Sequence, residues 1–202
     1  AIAWTNALSV TRYTPDTTPP QLSAFDLDMT RELLTMTFNE IVRTDSLQVD
    51  LIRIANADVS EQVLLSSASS MTADPTGVVI ITVYLGAHDI HALTRLTSLA
   101  TSSGDTFISL PRSSITDMNG NELVLVSQKQ VQVYSPDVIA PRLTSFNVSM
   151  DSGALTMVFS EVVNATSLNI DTITLQSTQS VGADTVRRTL SATPFSVSTI
   201  TR

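Results

Sequence analysis

The stretch DTTPPQLSAFDLDMTRELLTMTFNEIVRTDSLQVD, residues 16–50, returns as DVIAPRLTSFNVSMDSGALTMVFSEVVNATSLNID, residues 137–171. The two stretches align without a gap, because residue 16 meets residue 137, a separation of 121. Identical positions include Pro20/Pro141, Leu22/Leu143, Phe25/Phe146, Met29/Met150, Leu34/Leu155, Met36/Met157, Phe38/Phe159 and Glu40/Glu161. A repeat of this length is typical of arrays whose units depend on neighbours to bury their apolar faces.

The repeat divides the chain into three parts. Residues 16–136 form one complete unit, and residues 137–202 form the first half of the next unit. Residues 1–15 align with the end of a unit, because YTPD before residue 17 matches YSPD before residue 138. We therefore expect the chain to be a section of a longer array. Residues 1–15 are predicted to be the last strand of a preceding unit, pairing with that unit or with a neighbouring chain.

Alternating apolar residues predict β-strands in each unit. Leu34, Met36 and Phe38 alternate with more polar neighbours, the period of a strand with one buried face. Strands are predicted at 22–27, 33–38, 51–55, 63–65, 78–85, 106–110 and 122–134. The run VVIITVYL, residues 78–85, is apolar on both faces and is predicted to be central in its sheet or covered on both sides. Short strands joined by turns predict an all-β fold, an antiparallel β-sandwich.

One segment has helical spacing instead. Apolar residues of 89–100, including Ile90, Leu93 and Leu96, recur at helical intervals, so each unit is predicted to carry one short helix. Asp89 fits an N-cap or a first-turn acid of this helix.

Composition excludes several classes of partner. The net charge is −8 and the chain has one lysine, Lys129, which disfavours nucleic acids and anionic membrane surfaces. No apolar run is long enough to cross a membrane as a helix, so we expect no direct membrane insertion. The absence of cysteine removes disulfides and thiol catalysis. The acidic, Ser/Thr-rich composition favours an extracellular or cell-surface location.

A candidate Ca²⁺ site lies in the late turn of the unit. Asp117, Asn119 and Asn121 present side-chain oxygens at alternate positions, as Ca²⁺-binding loops do. Glu40, which recurs as Glu161, and Asp16 at the linker could complete the ligand shell. The alternative is that Asn119-Gly120 is simply a hairpin turn and Asp117 an Asx-turn former.

Two N-glycosylation sequons are present, at Asn147-Val-Ser and Asn164-Ala-Thr. Their counterparts in the first unit, Asp26 and Arg43, indicate that both positions tolerate polar groups. Glycosylation at these sites is predicted for a secreted eukaryotic protein.

No catalytic arrangement is recognisable in the sequence. No nucleophile elbow, phosphate-binding loop or serine–histidine–acid pattern is found, so we expect a non-enzymatic protein. His88 and His91 lie three residues apart, but no third metal ligand follows them.

The complete unit resembles the bacterial Ig-like domain of S-layer and other cell-surface proteins. The residues that carry the resemblance are TPPQLSAF (18–25), LTMTFNEIV (34–42) and ITDMNGNEL (115–123). The segment of residues 89–110 is similar to a variant in giant tandem surface proteins of aquatic single-celled eukaryotes and algae. The resemblance implies tandem Ig-like β-sandwiches in a structural or adhesive extracellular array, with no catalytic residues.

The favoured function is therefore that of structural repeats of a large surface protein or filament, such as a stalk, fibre, flagellar hair or coat. Its expected partners are neighbouring repeats and other copies or subunits of the assembly. Two alternatives remain open. One is an adhesin or receptor module that binds glycan or protein through strand-end loops such as residues 66–76. The other is a spacer domain of a secreted multidomain enzyme.

Overall fold

The computed structural model describes residues 7–66, 69–71, 78–180, 182–183 and 185–191. The chain divides into two compact units, Ala1–Val138 and Ile139–Arg202. The fold is all-β, with one short helix in the first unit, as the sequence predicts. The sequence-based boundaries of the repeats lie close to this division, at residue 137.

Two facing sheets make the first unit a β-sandwich. The first sheet consists of β1 (Leu22–Asp28), β2 (Leu33–Val42), β5 (Ser70–Met71), β6 (Val78–Tyr84) and β9 (Val133–Ser135). The second consists of β3 (Arg53–Ala55), β4 (Gln62–Leu64), β7 (Phe107–Leu110) and β8 (Val126–Gln130). The strand order is β5-β6-β2-β1-β9 in the first sheet and β4-β3-β7-β8 in the second. Strand pairs are antiparallel except β1–β9, which is parallel.

The core lies between the sheets, and its centre is the repeated stretch. Leu34, Met36 and Phe38 of β2 are all buried, which confirms their predicted inward orientation. From β1 and the second sheet, residues such as Phe25 and Ile108 join the same cluster. Burying a large apolar side chain stabilises a fold by roughly 1.5–3 kcal/mol, so the alternation in β2 is a main source of stability.

Strand β6 is interior to the first sheet, between β5 and β2, as one predicted alternative has it, but it is not covered on both sides, because one of its faces is exposed. Ile81 and Val83 point into the core, whereas Ile80 and Tyr84, on the opposite face, are exposed. In a two-layer sandwich each sheet covers only one face of the other, so an apolar run on both faces does not require burial on both.

The helix, α1 (Ala87–Thr94), is shorter than the predicted span of 89–100 and starts two residues earlier. Its N-cap residue is Gly86 rather than Asp89, and Asp89 lies in the first turn, which confirms the other predicted position. Leu99 and Ala100 are buried core residues of the following turns, and Ala100 has a positive φ of 54°. Apolar residues that fall at helical spacing therefore reach the core here without a helix.

The predicted last strand, residues 122–134, is two short strands in different sheets. At Val131 the backbone amide still donates to the Thr106 carbonyl beside the second sheet, at 2.9 Å. One residue later, the Gln132 amide donates to the Phe25 carbonyl of β1 in the first sheet, at 2.8 Å. Strands β8 and β9 therefore link the two layers along one edge of the sandwich.

Two hairpin pairs form the described part of the second unit. Strand β10 (Leu143–Ser149) pairs with β11 (Ala154–Phe159), and β12 (Thr174–Gln176) pairs with β13 (Arg187–Thr189). The predicted turn between β10 and β11 is confirmed, and its Gly153 has a φ of +67°. Phe146 is 53% exposed, whereas its counterpart Phe25 is fully buried. The apolar face that forms the core of the first unit is thus open in the second.

Residues 7–15 form no strand and are exposed, including Leu8, Val10 and Tyr13. Residues 1–6 lie outside the described residues. Pairing of this segment with a preceding unit or another chain stays a prediction.

Candidate metal site

Three carboxylates that are distant in sequence meet at one end of the first unit. Glu40 lies near the end of β2, and Val42 forms a β-bridge with Asp117. Ligand oxygens of Asp16, Glu40 and Asp117 all lie within 4.8 Å of one another. These are the carboxylates that the sequence predicts for a Ca²⁺ site, and the fold brings them together beside a pocket lined by Ile41, Val79 and Met118.

Asp117 is the buried member of this carboxylate cluster. Its Oδ1 accepts hydrogen bonds from the amides of Asn119 at 2.9 Å and Asn121 at 2.7 Å. Burial alone would raise the pKa of the Asp117 carboxyl, but these bonds and one from the Asn121 side chain hold it below its usual value. Asp117 is therefore held as an anion by its own turn.

The Asp117–Asn121 turn is the predicted one, and it also has the Asx-type bonds of the alternative interpretation. Both asparagines use their side-chain nitrogens as donors toward the cluster. Asn121 Nδ2 donates to Asp117 Oδ2 at 2.7 Å and to the Asp16 carbonyl at 3.2 Å. Asn119 Nδ2 lies 3.4 Å from Asp16 Oδ2. In this arrangement the asparagines orient Asp16 and Asp117, whose carboxylate oxygens all accept hydrogen bonds.

Glu40 is the member of the cluster that has a carboxylate oxygen without a hydrogen-bond partner in the described part of the chain. Its Oε1 is buried, with less than 1 Å² accessible, and has no hydrogen-bond partner among the described residues. Burial, followed by the charges of Asp16 and Asp117, raises the pKa of the Glu40 carboxyl. A buried anion without a donor is costly, so this position favours a proton or a cation.

Gly120 gives the turn its shape, because its φ is +90°. A Cβ would meet no atom within 4 Å, so Gly120→Ala would strain only the backbone. We expect a loss of about 1 kcal/mol in the free energy of unfolding, measured by urea denaturation. Gly104→Ala is the control, since that glycine does not have a left-handed φ, and it should leave stability unchanged or slightly increased. An equal loss in both variants would contradict this account of the turn.

Among the described residues, the group with metal-ligand spacing does not include His88 or His91. His88 Nδ1 lies 3.3 Å from Asp89 Oδ1, a local contact. In the part of the chain that the structure describes, the carboxylate cluster is the only group with metal-ligand spacing.

Asp89 is an acid of the first turn of α1, one of its two predicted positions, and it also has a role beyond the helix. Asp89 is fully buried, and its Oδ2 accepts from the Ser66 amide at 3.0 Å and the Ser69 hydroxyl at 2.6 Å. It therefore ties α1 to the segment after β4. The signal was present in the sequence, since Asp89 shares a helix face with Leu93, which is buried.

The two sequons lie in different surroundings. Asn147 is in the middle of β10, opposite Thr156 of β11. Asn164 is the N-cap of a 3₁₀ turn, Ala165–Ser167, and its Oδ1 accepts from the amide of Thr166 at 3.0 Å and from its hydroxyl at 2.7 Å. Both asparagines are exposed.

The strand-end loop suggested for ligand binding, residues 66–76, lies largely outside the described residues. The helices formed by the described residues are too short to span a bilayer.

No protein-family model matches the chain, and no curated protein matches it. Solved structures similar to the chain include the crystal structure of the S-layer protein rSbsC(31-844), with 14% identity and a TM-score of 0.40. That likeness covers 64% of this chain and 15% of the other. A second is the N-terminal part of the bacterial S-layer protein SbsC, with 12% identity and a TM-score of 0.39, covering 84% of this chain and 37% of the other. The chain thus spans less than two thirds of either protein, and TM-scores this low establish neither a shared fold nor a shared role.

Proposed function

We propose that the chain provides non-catalytic structural repeats of a large extracellular surface protein or filament. The observation that carries this proposal is the ungapped repeat of residues 16–50. In the first unit this stretch supplies β1, β2 and much of the core, so repeating it repeats the frame of a domain rather than a binding motif.

The partners that fit are further copies of the same repeat. In the second unit, Leu143, Phe146 and Val148 are exposed on β10, and their counterparts Leu22, Phe25 and Leu27 are buried. In the first unit that face packs against the second sheet. Repeat sequence of the kind that forms β7 and β8 therefore has the right shape and polarity to cover β10.

Surface location is tested by labelling. Antibodies raised against the chain should bind intact, unpermeabilised cells of the organism that makes it, and electron microscopy should show the label in a layer or on fibres. Antibodies against a cytoplasmic protein serve as the control. Label that appears only after permeabilisation would overturn the proposal.

We also propose that Asn164 carries N-linked glycan when the chain passes through a eukaryotic secretory pathway. Asn164 is exposed and lies in a turn, whereas Asn147 lies within a strand. The first-unit counterpart of Asn147, Asp26, accepts a hydrogen bond from the Val133 amide of β9 at 3.0 Å, so that position lies along a strand edge.

We therefore expect fuller occupancy at Asn164 than at Asn147 in glycopeptide mass spectrometry of the secreted chain. Thr166→Ala should abolish the glycan at Asn164 and leave Asn147 unchanged, with Ser149→Ala as the reciprocal control. A bare Asn164 beside a glycosylated Asn147 would contradict this order.

A further inference from the structure

We propose that Asp16, Glu40 and Asp117 bind one Ca²⁺ ion that holds the segment leading into β1 against the body of the first unit. This inference goes beyond the proposed function and does not depend on it, since it concerns one unit in solution. The carboxylate cluster alone would not carry it. The second observation is the buried Glu40 Oε1, which has no hydrogen-bond partner among the described residues.

The chemistry of the donors selects the ion. All the ligand atoms are carboxylate oxygens, which suit hard cations such as Ca²⁺ rather than zinc or copper. They lie within 4.8 Å of one another, inside the separation of about 5 Å between opposite ligands of one Ca²⁺ ion. Ca²⁺ accepts irregular ligand sets completed by water, so three carboxylates at the edge of an open pocket can form part of its ligand shell.

Electrostatics also favour a cation. Three carboxylates so close together repel one another, and the asparagine side chains contribute donors to Asp16 and Asp117. Glu40 receives no such bond at Oε1. A divalent cation shared by the three carboxylates would give the Glu40 carboxylate a partner and reduce the repulsion.

The position of the ligands gives the ion a structural role. Asp16 precedes the two prolines, Pro20 is buried, and the Pro20 carbonyl accepts from the Val124 amide at 2.9 Å. An ion shared by Asp16, Glu40 and Asp117 would fix this segment at a second point. Two of the ligands recur in the second copy of the repeat as Asp137 and Glu161, so the leading segment of each copy carries the same pair.

The test compares the wild-type chain with Glu40→Gln and with the control Glu122→Gln, an exposed glutamate next to the turn. Isothermal titration with CaCl₂ should show one site in the wild type, with a dissociation constant of about 0.1–1 mM. At about 10 mM Ca²⁺, calorimetry should show a Tm about 5 °C above that in chelator. Glu122→Gln should behave as the wild type.

Glu40→Gln should weaken Ca²⁺ binding at least about ten-fold and lose the Ca²⁺-dependent rise in Tm. In chelator, however, its Tm should equal or exceed that of the wild type, because one repelling buried charge is gone. A merely structural role of Glu40 predicts a lower Tm in both conditions. If Glu40→Gln does not fold, Asp16→Asn, at an exposed position, should show the same loss of binding. No Ca²⁺-dependent shift in the wild type, or unchanged binding in the variant, would overturn the proposal, and the surface-labelling result would stand separately.

Discussion

Leu34→Asp is expected to unfold the first unit, with a loss of more than about 4 kcal/mol in the free energy of unfolding. Leu34 is fully buried in the central region of the first sheet, opposite Leu27 of β1 and Val83 of β6. The substitution removes an apolar side chain and places a carboxylate where nothing can solvate it. Since small domains have only about 5–15 kcal/mol of stability, a loss of this size removes most or all of it. Urea denaturation followed by far-UV circular dichroism measures the effect.

Leu64→Asp is the matched control. Leu64 is also a strand leucine, but it is 53% exposed and lies opposite Arg53 on β3. A carboxylate there stays in water and meets an arginine across the strands, so we expect a change within about 0.5 kcal/mol. If the two variants unfolded at the same urea concentration, the assignment of the inward face of β2 would be wrong.

Asp89→Ala is expected to cost about 3 kcal/mol. The substitution leaves the Ser66 amide and the Ser69 hydroxyl without their acceptor in a buried place. It also detaches α1 from the segment after β4. Asp45→Ala is the control, since that aspartate is exposed and pairs with Arg43 at the surface, and it should cost less than about 0.5 kcal/mol. A similar cost for both would show that the buried bonds of Asp89 add no stability.

Asp89 also makes the stability of the first unit depend on pH. Burial would raise the pKa of this carboxyl, but hydrogen bonds from Ser69 and Ser66 and the contact with His88 outweigh it and hold the pKa below 3.8, its ordinary value. A depressed folded-state pKa stabilises the fold above the unfolded-state pKa, and this contribution is lost as the pH falls through the folded-state value. Stability measured from pH 6 down to about pH 2 should therefore fall less steeply in Asp89→Asn than in the wild type. Equal slopes would contradict the assignment.

Patterns of residues close together in the sequence predict the parts of the fold that such residues determine. The alternation of Leu34, Met36 and Phe38 predicted the buried face of β2, and Asp117–Asn121 predicted a turn. The meeting of Asp16, Glu40 and Asp117 was also foreseen. A recurring glutamate after a strand and a turn rich in oxygen ligands both suggested a site at the end of the unit.

Other features depend on contacts that no local pattern records. The end of α1 at Thr94 was missed because Leu99 and Ala100 are apolar for reasons of core packing, not helix formation. The sequence does not show that the chain changes sheet at Val131 and Gln132. The alternation of side chains continues through these residues, while the strand to which the backbone is hydrogen-bonded changes. The spacing correctly places Asp89 in the first turn of α1, but its partners Ser66 and Ser69 lie in another segment, which the sequence pattern does not show.

The parallel pairing of β1 and β9 determines how the first unit responds to tension along its chain. The chain enters β1 at Leu22 and leaves β9 at Ser135, and in a parallel pair these are opposite ends of the shared edge. A pull therefore slides the two strands past each other. The Gln132–Phe25 and Met29–Ser135 backbone bonds then bear the load together, instead of opening one after another as in a hairpin pulled at its free ends. Unfolding by force requires these bonds to break in a single concerted step, which makes the unit resistant to stretching along its chain.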